Sequence, residues 1–235
     1  MVAVAPELAK ITARHLRQAE EMCRRRLAKE VDDQRGNPPG SGRFGVSNRL
    51  YADVRLAHTE LAPPDPAAFV VPAELLPEQQ RVYLAAVAGY LALFGDERAR
   101  AADLGFETVL DDLDVRLVGD IGIALDTDAG CELRVLRLGE RGFGQSLLDD
   151  VDLRFAAVRA ATWMAGRSPL RIVVADVLHV ARADLVVDVD ADLAAAREWV
   201  EARITTIRRL ALDPRARAGR DCLGCRFVAG CNAHR

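Results

Sequence analysis

The chain has 235 residues, half of them apolar and 29% charged, which suits one sizeable hydrophobic core and excludes a fibrous or low-complexity protein. No apolar run approaches the length of a membrane span, and Met1-Val2-Ala3-Val4-Ala5-Pro6 lacks the zones of a signal peptide, so the expectation is a cytoplasmic protein with no membrane partner. Five cysteines, an odd number, argue against a disulfide framework in such a chain and for reduced thiols serving a metal.

In chain order, residues 7–34 read as one or two helices, with Leu16, Ala19, Met22, Cys23 and Leu27 at spacings of three and four, so Cys23 falls on or beside the apolar face. Residues 34–45, with Pro38-Pro39-Gly40-Ser41-Gly42, read as a loop. A helix from Ser47 to Ala57, a proline-broken linker over 61–72 and a helix opened by Pro77 and Glu78 follow; Val82, Ala85, Ala86, Gly89, Tyr90 and Leu93 are its inward residues. Strand character then takes over. Val115–Val118 and Ile121–Leu125 lead through the polar turn 126–130 into Leu133–Leu138, whose alternation has a period of two, and this predicts a hairpin. An amphipathic helix over 147–165, strands over 171–178 and 185–189, and a long helix over 190–212 capped by Asp190 or Asp192 complete the reading. The division is one domain, 1–235, with a helical region over 1–110, a mixed-sheet core over 111–190, and a long helix plus cysteine tail over 191–235.

The tail carries the most specific signal. Cys222, Cys225 and Cys231 stand at C-x2-C-x5-C spacing, where the two-residue gap forms a tight knuckle and Gly230 lets the backbone fold back, so three thiolates can converge on one soft metal. Four ligands are usual. Cys23 and His234 are the two candidates for the fourth, giving an iron-sulfur cluster in the first case and a zinc site of three cysteines and one histidine in the second; ordinary buried or disulfide-bonded cysteines are the bland alternative. Cys131 reads as a lone thiol near the turn.

The net charge of -3 hides an asymmetry. Ten Lys/Arg face five Asp/Glu between Lys10 and Arg49, and eight face two between Arg203 and Arg235, so both ends are basic and the middle holds the acid excess. Arg24, Arg25, Arg26, Arg215, Arg217, Arg220 and Arg226 are the candidates for binding nucleic-acid phosphate, against the alternative of scattered, solvated arginines.

The order of a helix with a cysteine, a hairpin, a helix, a strand, a long helix and the Cys-x2-Cys-x5-Cys tail resembles the iron-sulfur branch of the PD-(D/E)XK nucleases. That branch includes RecB- and AddB-type and CRISPR-adaptation exonucleases. Ile11-Thr12-Ala13-Arg14-His15-Leu16 ahead of Cys23, and Arg24-Arg25-Arg26 behind it, carry the likeness at the front of the chain. The resemblance implies an α/β restriction-endonuclease-like core with an N-terminal helical region and a C-terminal clasp, in which a structural [4Fe-4S] cluster is held by Cys23, Cys222, Cys225 and Cys231.

The catalytic pattern of that family does not carry over. Its acidic position after a Gly in the hairpin's first strand falls at Gly122, with Asp120 two residues early; its acidic-x-Lys triplet falls near Arg137-Leu138-Gly139; its upstream His falls at Asn48 or Arg49. No lysine follows Lys29, so no register restores the triplet. A shifted register offers only Asp120, Glu132 and Arg134, which would need Mg or Mn. The resulting expectation is a nuclease-inactive descendant that binds DNA or scaffolds a DNA-processing or defence complex, against an active metal-dependent nuclease with a divergent site or a zinc-bearing protein-interaction module. His15, His58 and His179 have no partner at ligand spacing and read as plain surface or core residues.

Overall fold

The computed structural model describes residues 9–21, 45–102, 107–119, 122–139, 150–164, 170–188 and 190–212. The fold is α/β, with two mixed sheets. The chain divides into two compact units: residues 1–40, 106–119 and 197–235 form the first, and 41–105 with 120–196 the second.

The first unit is built on a three-stranded sheet. β1 (Ala9–Ile11) runs parallel to β4 (Val115–Val118), and β3 (Glu107–Leu110) pairs antiparallel with β4 on its other side. A single 3-10 turn, Asp111–Leu113, joins β3 to β4 and ends on Asp114 in the left-handed region, φ 49, which a short polar side chain tolerates. Helix α1 (Ala13–Glu21) follows β1, with Ile11, Ala13 and Leu16 buried.

The second unit carries a five-stranded sheet in which β2 (Ala99–Ala101), β5 (Ile123–Thr127), β6 (Gly130–Arg137), β7 (Leu170–Asp176) and β8 (Ala181–Val186) lie side by side in sequence order. β6 and β7 are parallel and every other pair is antiparallel. Helices α2 (Val46–Ala57) and α3 (Pro77–Phe94) cover one face, where Leu50, Tyr51, Val54, Tyr83, Ala86, Tyr90 and Phe94 meet Ile123, Leu125, Leu136, Val173 and Ala175. α3 lies so close that a Cβ on Gly89 would stand 1.7 Å from the Val177 carbonyl oxygen, so only glycine fits there. α4 (Val151–Met164) packs on the opposite face, with Ala156 against Gly122. The last helix among the described residues, α5 (Ala191–Leu212), belongs to the first unit from Arg197 onward.

Several elements differ from the sequence reading. β1, β2 and β3 fall in the stretch read as helical, and their three or four residues are too few to set up an alternation against the helical signals around them. β8 begins four residues before its expected start because Arg182 and Asp184 make its first half look like a loop. Asp126, read as a turn residue, lies within β5 and pairs with Arg100 at 3.0 Å; the turn is Asp128-Ala129, closed by Gly130 at φ 121. α4 starts at Val151, where Asp150 Oδ1 accepts from the amides of Asp152 and Leu153. α5 is capped by Asp188, which accepts from the amides of Asp190 and Ala191, while Asp192 Oδ2 accepts from the Asp188 amide in return; Asp190 is not the cap.

Candidate functional site

The alternation of β6 decides which side chains enter the helix-covered face. Glu132, Arg134 and Leu136 point to it, while Leu133 and Val135 point to α4. Two charged groups therefore enter a region meant for apolar contact, and both are fully buried. Such charges must be paired. Arg134 uses each of its nitrogens: Nε donates to Glu132 Oε1 at 2.5 Å, Nη1 to the Tyr90 hydroxyl at 2.7 Å, and Nη2 to Glu97 Oε2 at 3.0 Å. Its guanidinium also stacks over Phe94, 3.7 Å from the ring centre.

Strand register supplies the rest. Glu132 lies beside Arg171 across the parallel β6–β7 pair, and Arg171 Nη2 donates to Glu132 Oε2 at 2.5 Å. The other end of Arg171 reaches Asp184 on β8 at 3.2 Å. Arg182, two residues before Asp184 and on the same face, donates to Glu97 Oε1 at 2.5 Å, and its Nε lies 3.8 Å from Asp184 Oδ1. Arg134, Glu132, Arg171, Asp184, Arg182 and Glu97 thus form a closed ring of alternating sign, with Glu132 and Arg134 inside and the other four on a partly exposed rim.

A neutral relay backs the ring. His58 places Nδ1 3.1 Å from the Ala99 carbonyl and Nε2 2.7 Å from the Tyr90 hydroxyl. The carbonyl can only accept, so Nδ1 carries the proton, the Tyr90 hydroxyl donates to Nε2, and the Tyr90 oxygen accepts from Arg134. Burial, reinforced by the Arg134 charge, lowers the His58 pKa and keeps the imidazole neutral. Burial also pushes the Tyr90 hydroxyl up to about 12. Arg134 stays charged: burial opposes its charge, but Tyr90, Glu132 and Glu97 outweigh burial and raise its pKa. Of the two readings the sequence left open for His58, surface or core, the structure shows the core one, and the imidazole orients Tyr90.

The positions that the nuclease resemblance marks are occupied as follows. A Cβ on Gly122 would meet Leu133 Cδ1 at 3.0 Å and Ala156 Cβ at 3.3 Å, so a carboxylate there would enter the apolar layer under α4. Arg137 donates to Asp150 at 2.5 Å, and the Gly139 amide donates to Asp176. Arg49 donates to Asp53 Oδ2 at 2.8 Å; the same oxygen accepts from the Tyr83 hydroxyl, while the buried Asp53 Oδ1 has no hydrogen-bond partner among the described residues. Asp120 lies outside the described residues, as do Cys23, Cys222, Cys225, Cys231, His234 and the arginines at 24, 25, 26, 215, 217, 220 and 226. Cys131 is a buried free thiol on β6. Among the described residues no group of three or more His, Cys, Asp or Glu could hold a metal ion, and no helix is long and apolar enough to cross a membrane.

Sequence reasoning grouped Glu132 and Arg134 with Asp120 as a shifted catalytic set, not as an ion pair, and missed Arg171, Asp184, Arg182 and Glu97, which only the register brings in. It also missed that His179 Nδ1 meets Asp176 Oδ2 at 2.7 Å in the β7–β8 turn, a D-x-x-H contact at a spacing of three. Hydrogen bonding from His179 and from the His179 and Gly139 amides outweighs burial and lowers the Asp176 pKa.

The fold and ring define an α/β protein whose mixed sheet carries a charge-neutral ion-pair ring with a buried Glu132–Arg134 pair and a partly exposed rim. No protein-family model matches the chain, and no curated protein matches it.

Proposed function

We propose that this chain is a cytoplasmic, nuclease-inactive iron-sulfur protein with a PD-(D/E)XK nuclease-like core that binds nucleic acid or scaffolds a DNA-processing or defence complex. The observation that carries the reading is the bonding of Glu132. Each of its oxygens accepts from a guanidinium, so Arg134 and Arg171 bring two fixed positive charges to a carboxylate that would otherwise offer lone pairs to a divalent ion. A magnesium or manganese ion does not fit there without displacing both arginines, and the reading includes no metal-dependent step. The β5–β6 hairpin, followed by α4 and by β7 parallel to β6, supports a nuclease-like core because it matches the expected order of hairpin, helix and strand.

The donor set of Cys23, Cys222, Cys225 and Cys231 suits a [4Fe-4S] cluster, which would serve as a structural cross-link between distant parts of the chain. α1 ends two residues before Cys23 and α5 ends ten residues before Cys222, and α1 and that end of α5 belong to one compact unit, which supports the two sets acting together.

The test combines two measurements on anaerobically purified protein. Broad absorbance near about 400 nm that is lost in Cys23→Ala and kept in His234→Ala supports the cluster; a colourless protein with one zinc that depends on His234 overturns it. Labelled DNA should be retained in a salt-sensitive way and left uncut with magnesium or manganese. Metal-dependent cutting abolished by Glu132→Gln or Asp120→Ala would overturn the inactive reading.

A further inference from the structure

We infer that the rim of the ion-pair ring is a phosphate-binding site held closed by Asp184, which acts as an internal counter-ion; the inference rests on the nucleic-acid-binding reading. The geometry separates the two outer guanidiniums from ordinary surface arginines. Arg171 is anchored from below by Glu132, which is fully buried, and Arg182 is anchored by Glu97. Anchored in this way, both guanidiniums are pre-oriented, so little rotamer entropy remains to be lost on meeting an anion. Their outward nitrogens converge on one group, the Asp184 carboxylate, at 3.2 Å from Arg171 Nη1 and 3.8 Å from Arg182 Nε. Asp184 is the most exposed carboxylate of the ring at 40% of its side chain, and its contact with Arg182 is the longest in the ring. It is therefore the member that can leave at least cost.

Charge balance gives the ligand class. Without Asp184 the ring holds three guanidiniums against Glu132 and Glu97, an excess of one positive charge directed at solvent. A phosphodiester oxygen carries the matching charge, and two adjacent guanidiniums suit its pair of non-bridging oxygens. Asp184 occupies the anion's place in the unliganded protein and keeps the site neutral, so nucleic acid binds here only by exchanging with it.

The test measures binding of a labelled oligonucleotide and of inorganic tripolyphosphate to the full chain at about 50 and about 200 mM salt. It compares wild type, Asp184→Asn, Arg182→Gln, Asp184→Asn/Arg182→Gln and the double variant Arg171→Gln/Arg182→Gln, each first checked for folding by circular dichroism. Asp184→Asn is expected to bind the oligonucleotide roughly two- to fivefold more tightly at the lower salt, the range of an exposed ion pair, and less so at the higher salt. Adding Arg182→Gln to Asp184→Asn should remove that gain while leaving both partners of Glu132 in place, so the test does not depend on the double variant folding. Oligonucleotide bound by wild type with unchanged affinity in Asp184→Asn would overturn the site and leave the nucleic-acid reading standing. Tripolyphosphate bound through Arg171 and Arg182 with no oligonucleotide bound would keep the anion site and overturn the nucleic-acid reading. Binding of neither probe by any variant overturns both.

Discussion

The hydroxyl of Tyr51 on α2 sits on the main chain of Leu136 in β6, accepting from its amide at 2.8 Å and donating to its carbonyl at 3.1 Å. Among the described residues β5 pairs with β6 as far as Ile123 opposite Arg134, and two residues further on the buried Leu136 amide and carbonyl meet the Tyr51 hydroxyl. One phenol thus satisfies a backbone donor and a backbone acceptor. Tyr51→Phe keeps the ring and removes both bonds, leaving two buried backbone groups without that partner. The expected loss is about 2 to 4 kcal/mol, read as a lower denaturant midpoint at unchanged slope. A loss under about 0.5 kcal/mol would mean that something else satisfies Leu136.

Glu132 holds Arg134 and Arg171 at once, so truncating it should be among the costliest single changes in the sheet. Glu132→Ala leaves the buried Arg134 with only Tyr90 and Glu97, and the expected destabilisation is about 3 to 5 kcal/mol. The double variant Glu132→Leu/Arg134→Met replaces charge by apolar volume on the same face and should recover more than half of that loss. Additive losses in a full double-mutant cycle would argue that the two side chains do not form a unit.

β6 was legible from Leu133 onward by its alternation, but the strand begins at Gly130, and this brings Glu132, which the sequence left at the turn, into the buried face beside Arg134. The rest of the ring was not legible, because Glu97, Arg171, Arg182 and Asp184 come from three other parts of the chain, and their meeting depends on strand register rather than on any local pattern. β8 illustrates the difficulty. Ala181-Arg182-Ala183-Asp184 has small residues where a buried strand face would show aliphatic ones, because charge pairing rather than apolar contact occupies its other face. The contact of Asp176 with His179 was available as a local turn signal, since an aspartate readily accepts from amides two and three residues onward, here those of Leu178 and His179.

Gly89→Ala tests how tightly α3 lies on the sheet unit. The added Cβ would overlap the Val177 carbonyl oxygen, a backbone atom that cannot swing aside, so helix and turn must separate. In an exposed helix the same change would stabilise by roughly 0.5 to 1 kcal/mol. Here the sign should reverse, with a loss of about 1 to 3 kcal/mol and a lower Tm. A stabilised variant would mean that α3 is less closely seated on β7.

His58 ties the stability of the ring to pH. Its folded pKa lies below the ordinary value of 6.5, because burial and then the Arg134 charge penalise protonation, so the unfolded chain binds a proton more readily than the folded one. The contribution of the neutral imidazole is therefore fully present above about pH 6.5 and is lost as pH falls from there toward the folded pKa. His58→Gln removes this titration while keeping a donor and an acceptor on the side chain. The difference in unfolding free energy between wild type and His58→Gln should shrink below about pH 6.5 by no more than about 1.4 kcal/mol per pH unit, with the titration of the surrounding carboxylates common to both proteins. Urea unfolding of both proteins across pH 5 to 8 measures it. A difference that stays flat or widens on acidification would show that His58 is protonated in the folded protein, and the direction assigned to the Tyr90 proton would have to be reversed.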